Sequence, residues 1–131
     1  MKIEAITDVL VIPKNTKMQL GYGLSHSEFK CNCSHEGCHF TLVNKTLLAR
    51  YVALRRIVDT PLEINSGYRC FHWNKQIKGS ITSGHCLGLC IDISLDELED
   101  SQRETVYDYA KVIFDYVELH DTFIHCQVNI P

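Results

Sequence analysis

A carboxylate in the middle of an apolar strand is the feature that most constrains this chain. Residues 90–94 read Cys-Ile-Asp-Ile-Ser. Side chains alternate between the two faces of a strand, so Cys90, Asp92 and Ser94 are expected to share one face. Asp92 is flanked by two isoleucines, and buried carboxylates are usually paired, hydrogen-bonded or bound to a metal. Any fold of this chain must therefore bring a donor or a cation to Asp92.

Two histidines are candidate partners of this carboxylate. His85 precedes Asp92 by seven residues, and His125 lies centrally in a strand predicted over residues 123–128. Two imidazoles and one carboxylate, with water in the fourth position, are a donor set typical of catalytic zinc. A histidine on a strand is more often a packed core residue, so this prediction requires that all three side chains converge.

Hydrophobic periodicity predicts two main helices and a small sheet. Helices are predicted over residues 44–58 and 102–117, each with apolar residues at the three- and four-residue spacing of one buried stripe. Ser101 and Glu104 form a capping-box pattern at the second helix, and Ser25 with Glu28 suggests a short helix near residue 25. Strands are predicted over residues 7–12, 62–66, 90–94 and 123–128, and a loop over residues 13–23. This order favours an α+β fold with a small, mostly antiparallel sheet packed with two main helices.

Length and charge exclude several classes of protein. The chain has 131 residues and is expected to form a single domain over residues 1–131. Its net charge of −3 argues against nucleic-acid binding. No run of about 20 apolar residues is present, so no membrane span is expected. The apolar run over residues 9–12 is too short for a signal-peptide core, so synthesis in the cytoplasm without a standard export signal is expected.

Four motifs along the chain point to one known family. Residues 83–92, Ser-Gly-His-Cys-Leu-Gly-Leu-Cys-Ile-Asp, resemble the signature Ser-x-His-x-x-Gly-x-x-x-Asp of the zinc D-alanyl-D-alanine carboxypeptidases and related phage endolysins. Residues 66–69, Ser-Gly-Tyr-Arg, resemble a turn of that family, and residues 123–125, Phe-Ile-His, its last zinc-binding segment. Residues 27–33, Ser-Glu-Phe-Lys-Cys-Asn-Cys, are similar to the opening of its compact members. The resemblance covers about residues 24–128 and leaves residues 1–23 as an N-terminal extension.

The resemblance implies a small α+β domain with zinc on an antiparallel sheet and a metal-assisted peptide hydrolysis. His85, Asp92 and His125 match the metal ligands of the family. Arg69 matches an arginine that contacts the substrate carbonyl or carboxylate and the developing oxyanion, a task suited to a planar, permanently charged side chain. Ser83 matches a serine close to the site and is expected to bind substrate or to donate a hydrogen bond that supports a site residue. The implied substrates are peptides of bacterial peptidoglycan, reached in the cell wall after a phage-type release or by another export route, and cut at the terminal D-Ala-D-Ala bond or within the cross-bridge.

The general base is where the chain departs from this family. Compact members commonly carry Asp or His two residues after the last zinc histidine, where this chain has Gln127, and other members carry an acid three residues before it, where this chain has Thr122. Neither side chain titrates usefully near neutral pH. Strict alternation favours Asp121 as the base, followed by Glu118 and His120. If none of them acts, the alternative is a zinc-binding pseudoenzyme that holds a wall peptide or a protein partner without cutting it.

Seven cysteines are a high and odd number for a chain without a secretory signal, which favours thiols or metal ligands over a disulfide framework. Three of them lie between residues 31 and 38 and, with a neighbouring histidine, could hold a second, structural zinc ion. The candidate ligands of that site are Cys31, Cys33, Cys38 and His39, with His35 as the alternative histidine. Free thiols or one disulfide are the other interpretations. Cys90 shares the predicted face of Asp92, so a thiol could also lie near the first zinc.

Overall fold

The computed structural model describes residues 8–14, 16–21 and 23–129. Eight strands and three helices lie in this part of the chain, and the predicted α+β class is confirmed. The strands are β1 (Val9–Pro13), β2 (Gln19–Gly21), β3 (Leu24–Ser25), β4 (Phe40–Asn44), β5 (Ile64–Ser66), β6 (Cys90–Ser94), β7 (Tyr116–Leu119) and β8 (Phe123–Gln127). The helices are α1 (Lys45–Val58), α2 (Phe71–Gln76) and α3 (Asp100–Ile113), and two 3-10 turns cover His26–Glu28 and Gly84–Leu87. Residue 7, the first of a predicted strand, lies outside the described residues.

The main sheet has four antiparallel strands in the order β5-β6-β8-β7, so β6 and β8 lie at its centre. Three of its strands were predicted, over residues 62–66, 90–94 and 123–128, with end points that differ by at most two residues. The register places Asp92 directly opposite His125. Two smaller antiparallel sheets pair β1 with β4 and β2 with β3.

One face of the main sheet forms the core together with the two long helices. Ile91, Ile93 and Ile124 of the central strands are fully buried. They share one apolar cluster with the predicted helical stripes, which contribute Leu47, Tyr51 and Leu54 from α1 and Val106 and Ala110 from α3. Alternation along β6 and β8 therefore leaves Asp92 and His125 on the opposite face of the sheet.

Helix α1 confirms the predicted helix over residues 44–58, with residue 44 as its cap. The Asn44 side chain accepts hydrogen bonds from the N–H groups of Thr46 and Leu47 at 2.9 and 3.1 Å. These groups have no partner inside the helix, which is why asparagine is favoured at this position. The helix ends where Asp59 takes a left-handed conformation with φ of 47°.

The second predicted helix is shifted toward the N-terminus. Helix α3 starts at Asp100, and the predicted Ser101–Glu104 capping box is wrong. Instead, the N–H of Glu99 donates to the side chain of Gln102 at 2.9 Å, so the same reciprocal pattern is used two residues earlier.

The end of α3 explains a strand that periodicity did not reveal. Phe114 takes an extended conformation and is buried in the core, so the helix stops at Ile113 and not at residue 117. The next residues pair with β8 as β7, and Val117 belongs to this strand. Because the predicted helix extended to residue 117, strand β7, which lies beside His125, was not predicted.

Three further strands and one short helix were not predicted: β2, β3, β4 and α2. Strand β2 falls within the predicted loop over residues 13–23, which is therefore wrong for residues 19–21. The short helix expected near residue 25 is confirmed as a 3-10 turn, and the N–H of Ser25 donates to the Glu28 carboxylate at 2.9 Å. Within the described ranges, no helix combines the length and the apolar composition that a membrane span requires.

Candidate metal centre

Asp92 and His125 meet on the polar face of the main sheet. Nδ1 of His125 lies 2.9 Å from Oδ1 of Asp92. Asp92 is only 6% exposed, so its carboxylate requires a donor or a cation nearby. The side chain of His125 is 18% exposed, which leaves the centre open to solvent on this side.

His85 reaches the same carboxylate from the 3-10 turn Gly84–Leu87. Its Nδ1 lies 2.8 Å from the carbonyl oxygen of Gly67, and because a carbonyl only accepts, Nδ1 is the donor. Nε2 then carries the lone pair and lies 3.3 Å from Oδ1 of Asp92. This nitrogen is buried and has no hydrogen-bond partner among the described residues. An unpartnered buried acceptor is costly, and a bound cation would remove that cost.

Two donor separations within the triad are close to those of a zinc site. Zinc bonds of about 2.0–2.2 Å place the nitrogen and oxygen ligands of a tetrahedral site roughly 3.3–3.6 Å apart. The separation of 3.3 Å between His85 and Asp92 lies in this range, and the 2.9 Å contact between Asp92 and His125 requires a small adjustment. A backbone carbonyl that orients a ligand imidazole is also usual at zinc sites. The three predicted ligands are therefore brought together in an arrangement that could hold the metal.

Charges within the triad are strongly coupled. Burial acts to raise the pKa of Asp92, but the hydrogen bond from His125 and the proximity of the His85 ring outweigh it and hold this pKa well below its usual range. Burial acts to lower the pKa of His125, but hydrogen bonds to Asp92 and Cys90 raise it to about 10. A metal that binds to His125 therefore displaces a proton.

Arg69 directs its guanidinium at three partners beside the triad. Its Nε donates to Oγ of Ser66 at 3.2 Å, and its two terminal nitrogens donate to Oδ1 of Asn74 at 3.3 Å and Oδ2 of Asp92 at 3.4 Å. The side chain is 14% exposed, so this ion pair is shielded from solvent, unlike a surface salt bridge. The guanidinium is thus held in one orientation next to a candidate metal ligand.

The turn that carries Arg69 packs closely against the backbone of Phe29 and is hydrogen-bonded to that of His85. A Cβ atom on Gly67 would lie 2.7 Å from the carbonyl oxygen of Phe29, so the position requires glycine. The N–H of Tyr68 donates to the same carbonyl at 2.8 Å, and the N–H of Arg69 donates to the carbonyl of His85 at 3.1 Å. These contacts explain the Ser-Gly-Tyr-Arg motif and connect the backbone of Arg69 to that of His85.

Ser83 and Gly88 fix the two ends of the turn that carries His85. Oγ of Ser83 accepts from the N–H of His85 at 3.2 Å, the usual role of a serine at the start of a helical turn. Gly88 has φ of 73°, and a Cβ atom there would lie 2.6 Å from the carbonyl oxygen of Leu42. Both residues therefore position a candidate ligand, and the contact of Ser83 with substrate stays a prediction.

Among the predicted bases, Glu118 has the register that puts it beside the triad. It lies directly opposite His125 in the pair β7–β8, so both side chains are on the same face of the sheet. The hydroxyl of Tyr116 donates to Oε2 of Glu118 at 2.7 Å, and Nε2 of His120 lies 3.3 Å from Oε1. Asp121 lies in the exposed turn between the two strands, where alternation no longer applies. The geometry therefore favours Glu118 over Asp121.

Cys90 and Gln127 lie on the other side of the centre. Oε1 of Gln127 lies 3.4 Å from Nε2 of His125 and accepts from the Cys90 thiol at 3.3 Å. The sulfur of Cys90 and the ring nitrogens of His85 and His125 lie within 4.8 Å of one another. The thiol thus lies near the triad, while Gln127 contacts His125 at the position where an acid or a histidine was expected.

A second group of candidate metal ligands includes the residue that directly follows Arg69. It consists of Cys31, Cys33, Cys38 and Cys70, whose sulfur atoms lie within 4.8 Å of one another. His39, the predicted fourth ligand, is exposed, and Cys70 occupies that place instead. His35, the alternative, stacks on His72. Cys70 is more than 30 residues from Cys38, so no short metal-binding motif in the sequence includes it.

A comparison with protein families places the chain in a known family. The family model described as Peptidase M15 matches residues 22–127, a span that contains both groups of candidate ligands. No curated protein matches the chain.

Proposed function

The chain belongs to the M15 peptidase family, and on that premise we propose that it is a zinc-dependent peptidase that hydrolyses the stem or cross-bridge peptides of bacterial peptidoglycan. The observation that carries this proposal is the convergence of His85, Asp92 and His125, with a buried and unpartnered nitrogen of His85 beside the carboxylate. The substrate class rests on the family. Cleavage at a D-Ala-D-Ala bond or within the cross-bridge is the finer part of the proposal.

Zinc held by the triad would supply a Lewis acid that lowers the pKa of water towards about 7 and polarises the scissile carbonyl. The residues of the chain would bind the substrate and move the proton. Arg69, oriented by Ser66 and Asn74, presents a permanent positive charge beside Asp92. Such a charge suits the carbonyl or terminal carboxylate of a peptide and the negative charge that develops during hydrolysis.

Glu118 is the proposed general base. Its carboxylate shares a sheet face with His125, receives a hydrogen bond from Tyr116 and has a side chain that is 51% exposed. It would take the proton of the attacking water and deliver it to the leaving amine. A base supplied by the neighbouring strand would compensate for Gln127 and Thr122, which cannot exchange a proton near neutral pH.

The proposed place of action is the cell wall, reached after a phage-type release or by another export route. The side of the centre formed by Glu118 and His125 is open to solvent, with side-chain exposures of 51% and 18%. An open side suits a peptide that continues beyond the scissile bond into a polymer.

Digestion of purified sacculi tests this proposal. Sacculi from bacteria with different cross-bridges would be incubated with the zinc-loaded protein and with the His85→Ala variant, and the released fragments analysed by mass spectrometry. Loss of a terminal alanine or an opened cross-link, seen only with the unmodified protein, is expected and would identify the bond. A protein that carries zinc, binds the wall peptide and releases no fragment would instead support the pseudoenzyme.

A further inference from the structure

We propose that Cys31, Cys33, Cys38 and Cys70 hold a structural zinc ion that fixes the turn carrying Arg69. This cluster is separate from the triad, shares no residue with it and does not depend on peptidase activity. Cys31, Cys33 and Cys38 lie in the loop after the His26–Glu28 turn, and Cys70 is the N-cap residue of helix α2. A metal ion here would join these segments.

The sulfur separations match those of a tetrahedral zinc site. The Sγ atoms of Cys31 and Cys70 lie 3.7 Å apart, as do those of Cys33 and Cys70. Zinc–sulfur bonds of about 2.3 Å place the thiolates of a tetrahedral site about 3.8 Å from one another. All four sulfurs lie within 4.8 Å of one another, so Cys38 can complete the set. A single disulfide would use only two of them.

Hydrogen-bond donors surround the sulfur atoms. The N–H of Cys70 donates to Sγ of Cys31 at 3.4 Å, and the N–H of Trp73 donates to Sγ of Cys70 at 3.4 Å. Nζ of Lys14 lies 3.3 Å from Sγ of Cys33. Four thiolates around one Zn²⁺ leave an excess of negative charge, which these N–H groups and the ammonium offset.

The surroundings of the cluster are those of a buried structural site and not of an open catalytic one. Cys31 and Cys38 are buried, and they pack with Tyr68, which is 7% exposed, and with Trp73. With four protein ligands and an apolar cover, the site has no position for a substrate, which is typical of structural zinc.

The cluster lies directly behind the proposed substrate-binding residue. Cys70 follows Arg69 in the chain, and the preceding N–H of Tyr68 bonds to Phe29, two residues before Cys31. A metal bound to Cys70 and Cys31 would therefore join the same two segments that the Tyr68–Phe29 hydrogen bond already joins. Its loss would free the Arg69 turn without removing any residue of the triad.

Metal content and cobalt spectra test this site without any activity assay. Purified protein is expected to contain about two zinc ions per chain, Cys33→Ala about one, and the matched control Cys86→Ala about two, because Cys86 is a buried thiol outside both clusters. Cys33 is chosen because it is only half-buried, so its loss is tolerated better than that of Cys31. In His85→Ala loaded with Co²⁺, intense thiolate-to-cobalt absorption is expected, and adding Cys33→Ala should weaken it strongly, whereas adding Cys90→Ala should not.

The same variants report on the Arg69 turn. Amide hydrogen exchange at Tyr68 and Arg69 is expected to be faster in Cys33→Ala than in Cys86→Ala. Equal zinc content in unmodified protein and Cys33→Ala would overturn the site. So would a cobalt-loaded His85→Ala protein that lacks thiolate absorption, or a disulfide among the four cysteines in protein purified under reducing conditions. Failure of the peptidase assay would leave these readouts unaffected, so the two proposals fail separately.

Discussion

Glu118 lies directly opposite His125 across the β7–β8 pair, so the candidate base and a candidate metal ligand project from adjacent strands onto one face. Asp92, in turn, lies opposite His125 in the pair β6–β8. Three candidate site residues therefore form a single row across the sheet. The row depends on the strand register, and a shift of one residue would move its members to opposite faces.

Glu118→Gln should lower turnover by roughly 10²–10⁴-fold, because the amide keeps the shape of the side chain but cannot accept the proton. Zinc content should not change, since Glu118 belongs to neither group of candidate metal ligands. Asp121→Asn is the matched control and should retain most activity. Full activity in Glu118→Gln together with loss in Asp121→Asn would reverse the assignment. Steady-state kinetics on a soluble wall peptide and metal analysis measure both effects.

His85→Ala should abolish peptide hydrolysis and remove one zinc ion per chain. The variant deletes the nitrogen that lies 3.3 Å from Asp92 and leaves the carboxylate with one imidazole fewer. His72→Ala, an exposed histidine, serves as the control and should keep both properties. A His85→Ala protein with full zinc content and activity would remove this residue from the centre.

Arg69→Lys should reduce turnover by roughly 10²-fold while the zinc content stays constant. Three nitrogen atoms of Arg69 donate to three different partners, and a lysine has only one nitrogen to replace them. Arg50→Lys, in a surface ion pair with Asp115, is the control. Unchanged kinetics in Arg69→Lys would show that the guanidinium does not contact the reacting groups.

Gly67→Ala should lower the free energy of unfolding by about 1–3 kcal/mol, the usual cost of forcing an atom into a packed site. The new methyl group would meet the backbone of Phe29, which cannot move without displacing the turn. At Gly37 a new Cβ would meet only the flexible side chain of His35, so Gly37→Ala should have a smaller effect. Urea unfolding followed by circular dichroism compares the two variants, and equal midpoints would contradict the expectation.

Acid should remove a stabilising contribution from Asp115. Hydrogen bonds from the N–H of Asn129 and from Arg50 hold the pKa of this carboxyl below its usual value. A pKa that is lower in the folded chain stabilises the fold above the unfolded value of about 3.9, and the contribution disappears as the pH falls through the folded pKa. The difference in urea midpoint between the unmodified protein and Asp115→Asn should therefore be positive at pH 6 and shrink towards pH 2. A difference in urea midpoint that does not change with pH would show that the charge of Asp115 does not contribute to the stability of the fold.

Much of the candidate site could be predicted from residue types and strand alternation. Asp92 lies in an apolar strand and therefore requires a hydrogen-bond donor or a cation, and strand alternation assigns it to one face of the sheet. The motif resemblance then pointed to His85, His125 and Arg69. The shared sheet face of Asp92 and His125 required only that their strands become neighbours, which they do.

The choice of base could not be made from the sequence because it depends on where a helix ends. Apolar spacing continued the predicted helix to residue 117, whereas burial of Phe114 stops α3 at Ile113. With β7 hidden, strand alternation was extended backwards through what is a turn, and it selected Asp121. Tertiary packing of one aromatic residue thus decided which carboxylate faces the triad.

Cys70 was missed for a different reason. Its sulfur meets those of Cys31 and Cys33 across separations of 39 and 37 residues, and no local period reports such a contact. The histidines near residues 31–38 were favoured because they are close in sequence. Sequence distance does not identify the fourth ligand here, because the loop that carries Cys31 and Cys33 packs against the N-terminus of helix α2.

Strand β8 comes after every other strand of the main sheet in the sequence, yet it lies between β6 and β7 at the centre. A nascent chain that has emerged only as far as residue 122 lacks His125 and also lacks the strand on which both neighbours depend. Proteolytic fragments that end before this point share the same defect. If the chain is the peptidase proposed above, such an order of assembly would leave incomplete translation products without activity, because the candidate metal centre is complete only when the central strand inserts.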